Sequence, residues 1–520
     1  MNLFRNALSV GGLTLVSRVF GFVRDALIAA VLGIGPAADA FQAAFRFPNL
    51  FRRLFAEGAF NTAFVPMFSG ALETQGEEAA RALAGRILSW LVAAVLLVTV
   101  LAEIFMDPLM RVFVPGFLDD PEKFALTVFL SRIMFPYLAC MSLMAAYGAI
   151  LNSLGKFFAA AFAPVLLNIV NIAVLVPLTI VTLENPADIA FWLGIAALAG
   201  GVAQLALVFF AIRRAGFLPA ISWPRYADEV KRFWLLAVPA IAAGGIVQIN
   251  VFVGTVIASQ ADAAIAIIAN ADRLYQLPLG IIGIAIGTVL LPELSRHLSA
   301  GRESEARAGQ SQALLLAMGL TLPAAVALAA MGVPIVRVLF ERGAFDAAAT
   351  LAVSEALAAF ALGLPAFVLV RVLQPGFFSR KDTRTPTVIA ALSLLVNVGV
   401  SLALFPSLEH IGIALATSIS AWVNVLMLAV LLARRGHFRL ERFEMLRLTV
   451  MLGVALAMGA LLWATVAWAG PVFESGYFFP LQALALMAVC ALGAAFYFAL
   501  LHITGVLPLG PIFARLRRRA

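Results

Sequence analysis

Charge is scarce in this sequence: Asp, Glu, Lys and Arg together make up 12% of its 520 residues, while hydrophobic residues reach 63%. A soluble globular domain carries about 25% charged residues, so a water-borne chain of this composition would lack the polar surface to cover its own core. Cysteine is almost absent. Cys140 and Cys490 lie in separate apolar runs and make no metal-type or redox pair, so both read as core packing. The four histidines, His297, His410, His437 and His502, stand far apart near loops or helix ends, and no metal site is expected from them. A Walker loop, a nucleophile elbow and a zinc signature are all missing, and the loops are too short to hold an ATPase domain. Neither an enzyme nor a bound cofactor is therefore expected, and any transport would draw on an ion gradient, the membrane potential or the substrate's own gradient. Arg18 and Arg24 interrupt the apolar N-terminal stretch, so no cleaved signal peptide is expected either.

What the sequence has instead is long apolar runs, such as 88–105, 455–469 and 481–501. Runs of about 20 apolar residues match the ~30 Å hydrocarbon core of a bilayer. Apolar runs and their breakers place spans near 9–34, 38–68, 86–106, 124–152, 157–182, 188–212, 233–258, 264–295, 312–340, 349–378, 386–406, 410–433, 447–469 and 480–505. The expected fold class is an all-α integral membrane protein with fourteen transmembrane helices. With the N-terminus in the cytoplasm, 24 of the 36 Lys and Arg residues fall on cytoplasmic segments, among them Arg213, Arg214, Lys231, Arg232, Arg380, Lys381 and the tail Arg515, Arg517, Arg518 and Arg519. Only Arg111, Lys123, Arg337 and Arg342 fall on the opposite side. This asymmetry follows the positive-inside rule with both termini cytoplasmic. Basic loops facing anionic lipid account for the net charge of +8, and no nucleic-acid partner is needed.

A repeat shows through the helix breakers. Pro48, Pro66, Pro108, Pro136 and Pro177 recur as Pro278, Pro292, Pro334, Pro365 and Pro406 at offsets of 226 to 230 residues, and Pro108-Leu-Met-Arg111 resembles Pro334-Ile-Val-Arg337. An even number of helices per copy inserts both copies in the same direction, so two six-helix lobes in a parallel pseudo-twofold repeat are expected. The organisation expected is an N-terminal lobe over 1–212, a cytoplasmic linker over 213–232, a second lobe over 233–433, and two appended helices with a basic tail over 434–520.

Eight basic residues remain inside spans: Arg18, Arg24, Arg46, Arg52, Arg53, Arg132, Arg273 and Arg371. An arginine at the centre of an inserted helix costs at least ~2.5 kcal/mol. Snorkelling toward a helix end accounts for Arg132 and can account for Arg371. It is a weaker account of Arg18, Arg24, Arg52 and Arg53, which crowd two consecutive spans, and a polar, water-filled cavity between the lobes is expected there. Arg18, Gly21 and Asp25 follow an i, i+3, i+7 pattern and share a helix face, with Arg24 about 80° away. Arg53 and Glu57 are spaced to pair, which points Arg52 elsewhere, toward a ligand. Asp25, Asp39 and Glu57 offset only part of the charge. A surplus of guanidinium favours anions, and planar forks suit phosphate oxygens. Asp272 and Arg273 stand in the corresponding span of the second half, just before Pro278.

The stretch Ser17-Arg-Val-Phe-Gly-Phe-Val-Arg-Asp25, followed by Asp39-Ala-Phe and Pro48-Asn-Leu-Phe-Arg-Arg-Leu-Phe-Ala-Glu-Gly-Ala-Phe60, resembles the MurJ (MviN) lipid II flippases. Ala271-Asp-Arg-Leu-Tyr-Gln-Leu-Pro-Leu-Gly280, Gly287-Thr-Val-Leu-Leu-Pro-Glu-Leu-Ser295 and Pro375-Gly-Phe-Phe-Ser-Arg-Lys-Asp-Thr-Arg-Thr-Pro386 are similar to that family as well. The resemblance implies a V-shaped, two-lobed transporter of the multidrug/oligosaccharidyl-lipid/polysaccharide exporter superfamily. It implies a monomer in the bacterial inner membrane that moves lipid II, the undecaprenyl-pyrophosphate-linked peptidoglycan precursor, from the cytoplasmic to the periplasmic leaflet beside the cell-wall synthesis machinery. It further implies that Arg18, Arg24, Arg52 and Arg273 are essential cavity arginines, with Asp25, Asp39 and Glu57 as their accompanying acids, and that the last two helices hold the polyprenyl tail. Some members hold sodium in the second lobe; here the seventh span offers Gln248 and Asn250 without a carboxylate, and Asp382 could add one. A cation-coupled small-molecule exporter of the same superfamily is the alternative, and the arginine surplus argues against it.

Overall fold

The computed structural model describes residues 3–53, 60–181 and 183–506. Glu57 and the basic tail residues Arg515, Arg517, Arg518 and Arg519 lie outside them. Seventeen α-helices are described, in two compact units, one of 1–266 with 342–345 and the other of 267–341 with 346–520.

The first unit holds α1 (Leu3–Leu32), α2 (Pro36–Arg52), α3 (Phe60–Gln75), α4 (Glu77–Ile104), α5 (Met106–Phe113), α6 (Pro121–Met134), α7 (Tyr137–Ser153), α8 (Phe158–Ile180), α9 (Pro186–Arg214) and α10 (Asp228–Ala258). Local chemistry sets several starts: Asp120 accepts from the backbone N–H of Lys123 at the head of α6, and Asn185 from that of Ala187 at the head of α9. One apolar core joins α3, α4, α7, α9 and α10 around Phe64, Phe68, Leu88, Ile150 and Phe233. A second joins α2, α6 and α9 around Phe41, Leu130, Met134 and Leu193. α10 packs on α3, with lesser contacts to α2, α4 and α5.

The second unit holds α11 (Ala264–Ser299, whose first turn belongs to the first unit), α12 (Glu303–Ala330), α13 (Gly332–Phe340), α14 (Ala347–Phe378), α15 (Arg384–Arg434), α16 (Arg442–Trp468) and α17 (Phe479–Ile503). α14 is the hub, packing on both α12 and α15. α16 and α17 pack on each other through a core of Met451, Met458, Leu462, Val489 and Tyr497. Each unit contains a long helix broken by one residue with ψ near zero and then a short helix: Phe105 (φ −102°, ψ 22°) before α5, and Met331 (φ −118°, ψ 25°) before α13. Both short helices carry an i, i+4 ion pair, Arg111 with Asp107 at 2.6 Å and Arg337 with Glu341 at 2.8 Å. The Pro-x-x-Arg text lies in the short helix of both units, but the pairs run in opposite directions, Arg111 back to Asp107 and Arg337 forward to Glu341.

Among the described residues every expected span overlaps one of these helices or a helix pair; residues 54–59 of the span near 38–68 and residue 182 of that near 157–182 lie outside them. With α6 and α7 counted as one, nine helices are long and apolar enough to cross a membrane among the described residues, or ten with the two arms of α10 taken as one bent span. α15 counts once in that number, yet its 51 residues rise about 77 Å, more than twice the hydrocarbon thickness. Glu409, at φ 44°, breaks it into two arms that match the spans expected near 386–406 and 410–433. Large apolar side chains such as Leu97, Leu395, Leu456 and Leu484 are exposed on these helices, as a lipid solvent permits. Trp463 and Trp468, exposed in the last turns of α16, suit the interfacial zone.

At one end of the second unit, polar pairs tie the α14–α15 turn to the linker after α15. The Asp382 carboxylate accepts from the Thr385 backbone N–H (2.9 Å) and hydroxyl (2.6 Å) and from Arg435 Nη1 (2.7 Å). The Thr385 hydroxyl bond, then Arg435, hold its pKa down to about 2. A carboxylate with a depressed folded-state pKa adds stability that is complete above its ordinary value of 3.8 and is lost as pH falls through about 2. Asp382→Asn should therefore lower the melting temperature at neutral pH, and the difference from wild type should close between about pH 4 and 2. Thermal unfolding in detergent across that range checks this; a difference independent of pH would show that the charge is not what stabilises the turn.

Candidate substrate site

Arg24 is 9% exposed in the middle of a helix the sequence places in the membrane. Its Nε and Nη2 donate to Asp25 Oδ1 at 3.0 and 2.7 Å, and its Nη1 donates to Asn168 Oδ1 at 3.0 Å. Asn168 is supplied by α8, and its Nδ2 donates to the Ser17 carbonyl of α1 at 3.0 Å. Gly21 makes this approach possible, because a Cβ there would lie 3.4 Å from Asn168 Nδ2. Helical spacing sets Arg24 off the Arg18–Gly21–Asp25 stripe, but the long guanidinium arm reaches sideways to the carboxylate next to it. Arg18 is half-buried one to two turns earlier on the same helix.

Arg52 closes α2. Its Nε donates to Asn49 Oδ1 at 2.9 Å, and Asn49 Nδ2 in turn donates to the Phe45 carbonyl at 2.7 Å. Pro48, which has no N–H of its own to give, sits inside this turn. Arg52 is therefore oriented by its own helix, and Arg53 beside it is exposed. The partner expected for Arg53, Glu57, lies outside the described residues.

Asp39 is fully buried, with Lys123 Nζ of α6 at 2.8 Å and the Ala266 backbone N–H at 2.8 Å. Lys123 is 6% exposed, its ammonium 4.0 Å from the centre of the Phe117 ring. The sequence puts Lys123 on an outer segment; the fold draws it inward as the direct partner of Asp39. The Asp39 charge is thus met by a lysine of α6 as well as by the nearby Arg46 of its own helix.

In the second unit, Arg273 is exposed on α11, next to Asp272, whose carboxylate bonds the Gln276 side chain. Tyr275 stacks against Phe360 and Phe367 and fixes this part of α11 on α14. Gly283 lies under Arg371: a Cβ there would come within 2.7 Å of Arg371 Cδ, so the glycine is the bed on which that side chain lies. Asp382, the carboxylate that the sequence offers to a sodium site, has its oxygens engaged by Thr385 and Arg435. Among the described residues, no group of three or more His, Cys, Asp or Glu side chains could hold a metal ion.

Sequence reasoning did not single out Asn168, Asn49 or Lys123. Asn168 carried a usable signal, since an amide within the strongly apolar run of α8 is the same kind of anomaly as an arginine.

A helical chain of this architecture has the fold of the MOP superfamily transporters. It is similar to a MATE family transporter of that superfamily solved in its inward-facing conformation (TM-score 0.66, 15% identity, covering 83% of this chain and 98% of that one). A family model described as "Lipid II flippase MurJ" matches residues 28–483. The chain is 46% identical over its whole length to the probable lipid II flippase MurJ of Rhizobium tropici and 45% identical to that of Rhizobium meliloti, covering 97% of each. It is also similar to a solved structure, "Lipid II flippase MurJ, inward closed conformation", at TM-score 0.76 and 26% identity, covering 94% of this chain and 98% of that one. The chain belongs to the MurJ family of lipid II flippases.

Proposed function

We infer that this protein is a lipid II flippase of the bacterial inner membrane. It carries the undecaprenyl-pyrophosphate-linked peptidoglycan precursor from the cytoplasmic to the periplasmic leaflet by alternating access, with both termini in the cytoplasm. The observation that carries this reading is the buried Arg24, held ready by Asp25 and Asn168, in a chain matched end to end by relatives bearing that name. Its chemistry suits the task. A pyrophosphate cannot enter hydrocarbon unpaired, and guanidinium groups pair with phosphate oxygens in parallel hydrogen bonds while keeping their charge at any accessible pH. Arg18, Arg24, Arg52 and Arg53 are assigned to the pyrophosphate, joined by Arg273. Asp25 orients Arg24, Asp39 is assigned through Lys123 to holding α2 in place, and Glu57 to pairing with Arg53.

The exporter alternative shares the fold and no more than that. A site for cationic drugs would carry a surplus of carboxylates, and α1 and α2 carry the opposite. The deciding experiment depletes the native flippase of a bacterial host, supplies this protein, and measures whether labelled lipid II reaches the periplasmic leaflet. Restored delivery is expected; a protein that inserts yet restores none would defeat the reading.

A further inference from the structure

The first unit contains a cavity of about 480 Å³ that no arginine lines among the described residues. Its walls come from α3, α7 and the start of α8, through Val65, Ser69, Met144, Ala145, Asn152 and Ser153 among others. Its volume lies within the range of small-ligand pockets, about 300–1,000 Å³. Its chemistry is unlike that of the arginine-bearing helices. Among the described residues none that lines it is charged, and the polar groups are two hydroxyls and one amide set among apolar side chains. Ser69 Oγ donates to Ser153 Oγ (3.4 Å), and Ser153 Oγ donates to the Ala149 carbonyl (3.0 Å), so both hydroxyl protons are used within the protein and the Ser69 oxygen is left as the acceptor for a ligand's donor. Asn152 is exposed and brings both a donor and an acceptor.

α8 connects this cavity to Arg24. Ala160 lines the cavity and Asn168 holds the guanidinium, eight residues further along the same helix. At 1.5 Å per residue that is a rise of about 12 Å, with about 80° of rotation between the two positions. A head group fixed at Arg24 by its pyrophosphate would reach the cavity with the one or two sugar rings attached to it. Hydroxyl and amide groups over an apolar floor match an N-acetylated amino sugar, whose hydroxyls and amide need partners and whose methyl and ring faces do not. A charged stem peptide would find no counter-charge among the described lining residues, and a polyprenyl chain would strand the hydroxyls.

We propose that the cavity lined by Ser69, Asn152 and Ser153 is the sugar subsite of this flippase, taking an N-acetylated hexosamine of the head group while Arg24 takes the pyrophosphate. The proposal rests on the lipid II reading above and extends it to residues outside the arginine-bearing helices.

The test measures equilibrium binding of two lipids to the full-length protein in nanodiscs: lipid II, and undecaprenyl pyrophosphate, which lacks the sugars. Ala145→Trp fills the cavity; Asn152→Ala removes an exposed amide without adding bulk and decides the matter where the tryptophan variant does not fold. Each is expected to weaken lipid II binding about tenfold, the scale of one or two lost hydrogen bonds, and to leave undecaprenyl pyrophosphate binding unchanged. Unchanged lipid II affinity in the folded variants would overturn the subsite and leave the flippase reading intact. An equal loss for both lipids would also overturn it, showing that the cavity only supports the fold. Wild-type protein that binds neither lipid would count against the flippase reading itself.

Discussion

Arg24→Ala is expected to reduce lipid II delivery by at least about a hundredfold while the protein still inserts and remains folded. Of the five N–H donors on a guanidinium, three are used in bonds to Asp25 and Asn168, and two remain to meet an anion. Charge-assisted hydrogen bonds are worth about 1.5–3 kcal/mol each, so losing a two-point grip on a phosphate reduces binding by two or more powers of ten. Arg24→Lys should restore little of this, because an ammonium cannot span Asp25, Asn168 and a phosphate together. Asn168→Ala should fall between the two: it leaves the cation in place but removes the bond that aims Nη1, and a loss of about tenfold is expected. Arg52→Ala should match Arg24→Ala in direction. The measurements are complementation of a flippase-depleted strain and delivery of labelled lipid II, with membrane abundance checked in parallel. Full activity in both arginine variants would mean that these residues serve the fold alone.

The arginines could be found from sequence because a charge inside an apolar run is a one-dimensional anomaly: its cost is visible without knowing its neighbours. Their partners could not. Asn168 comes from 144 residues away and Lys123 stands 84 residues from Asp39, and no local periodicity encodes either meeting. The same limit explains Gly283. It seats the side chain of Arg371, which stands 88 positions further along the chain. Helix positions followed the apolar runs closely, because span length is set by bilayer thickness. Breaks within helices were less legible. Phe105 and Met331 end their helices although neither residue type is a breaker; in both cases Pro108 or Pro334, a few residues on, permits the short helix that follows. The break of α15 is different: Glu409 falls in the gap between the spans expected near 386–406 and 410–433, so its place was legible, while its positive φ was not.

Removing Lys123 should be the most destabilising single change in the charged interior of the first unit. The Asp39 carboxylate is fully buried and has two partners, the Lys123 ammonium and the Ala266 N–H. Lys123→Ala leaves a buried carboxylate with one neutral donor, and breaking a buried pair in this way costs about 3–5 kcal/mol. The pair spans α2, α6 and the first turn of α11, so the loss should appear as a single lower unfolding transition of the first unit in detergent. Lys123→Met combined with Asp39→Asn should recover most of the stability, because the charge and its counter-charge leave together and an asparagine oxygen can still accept from Ala266. A Lys123→Ala protein as stable as wild type would show that Asp39 finds another partner. The double variant also separates two roles for Asp39. Stable and active, it would make the pair a fastening for α2, the helix that ends in Arg52. Stable but inactive, it would put the Asp39 carboxylate into the transport cycle beside the arginines, as the sequence resemblance implies.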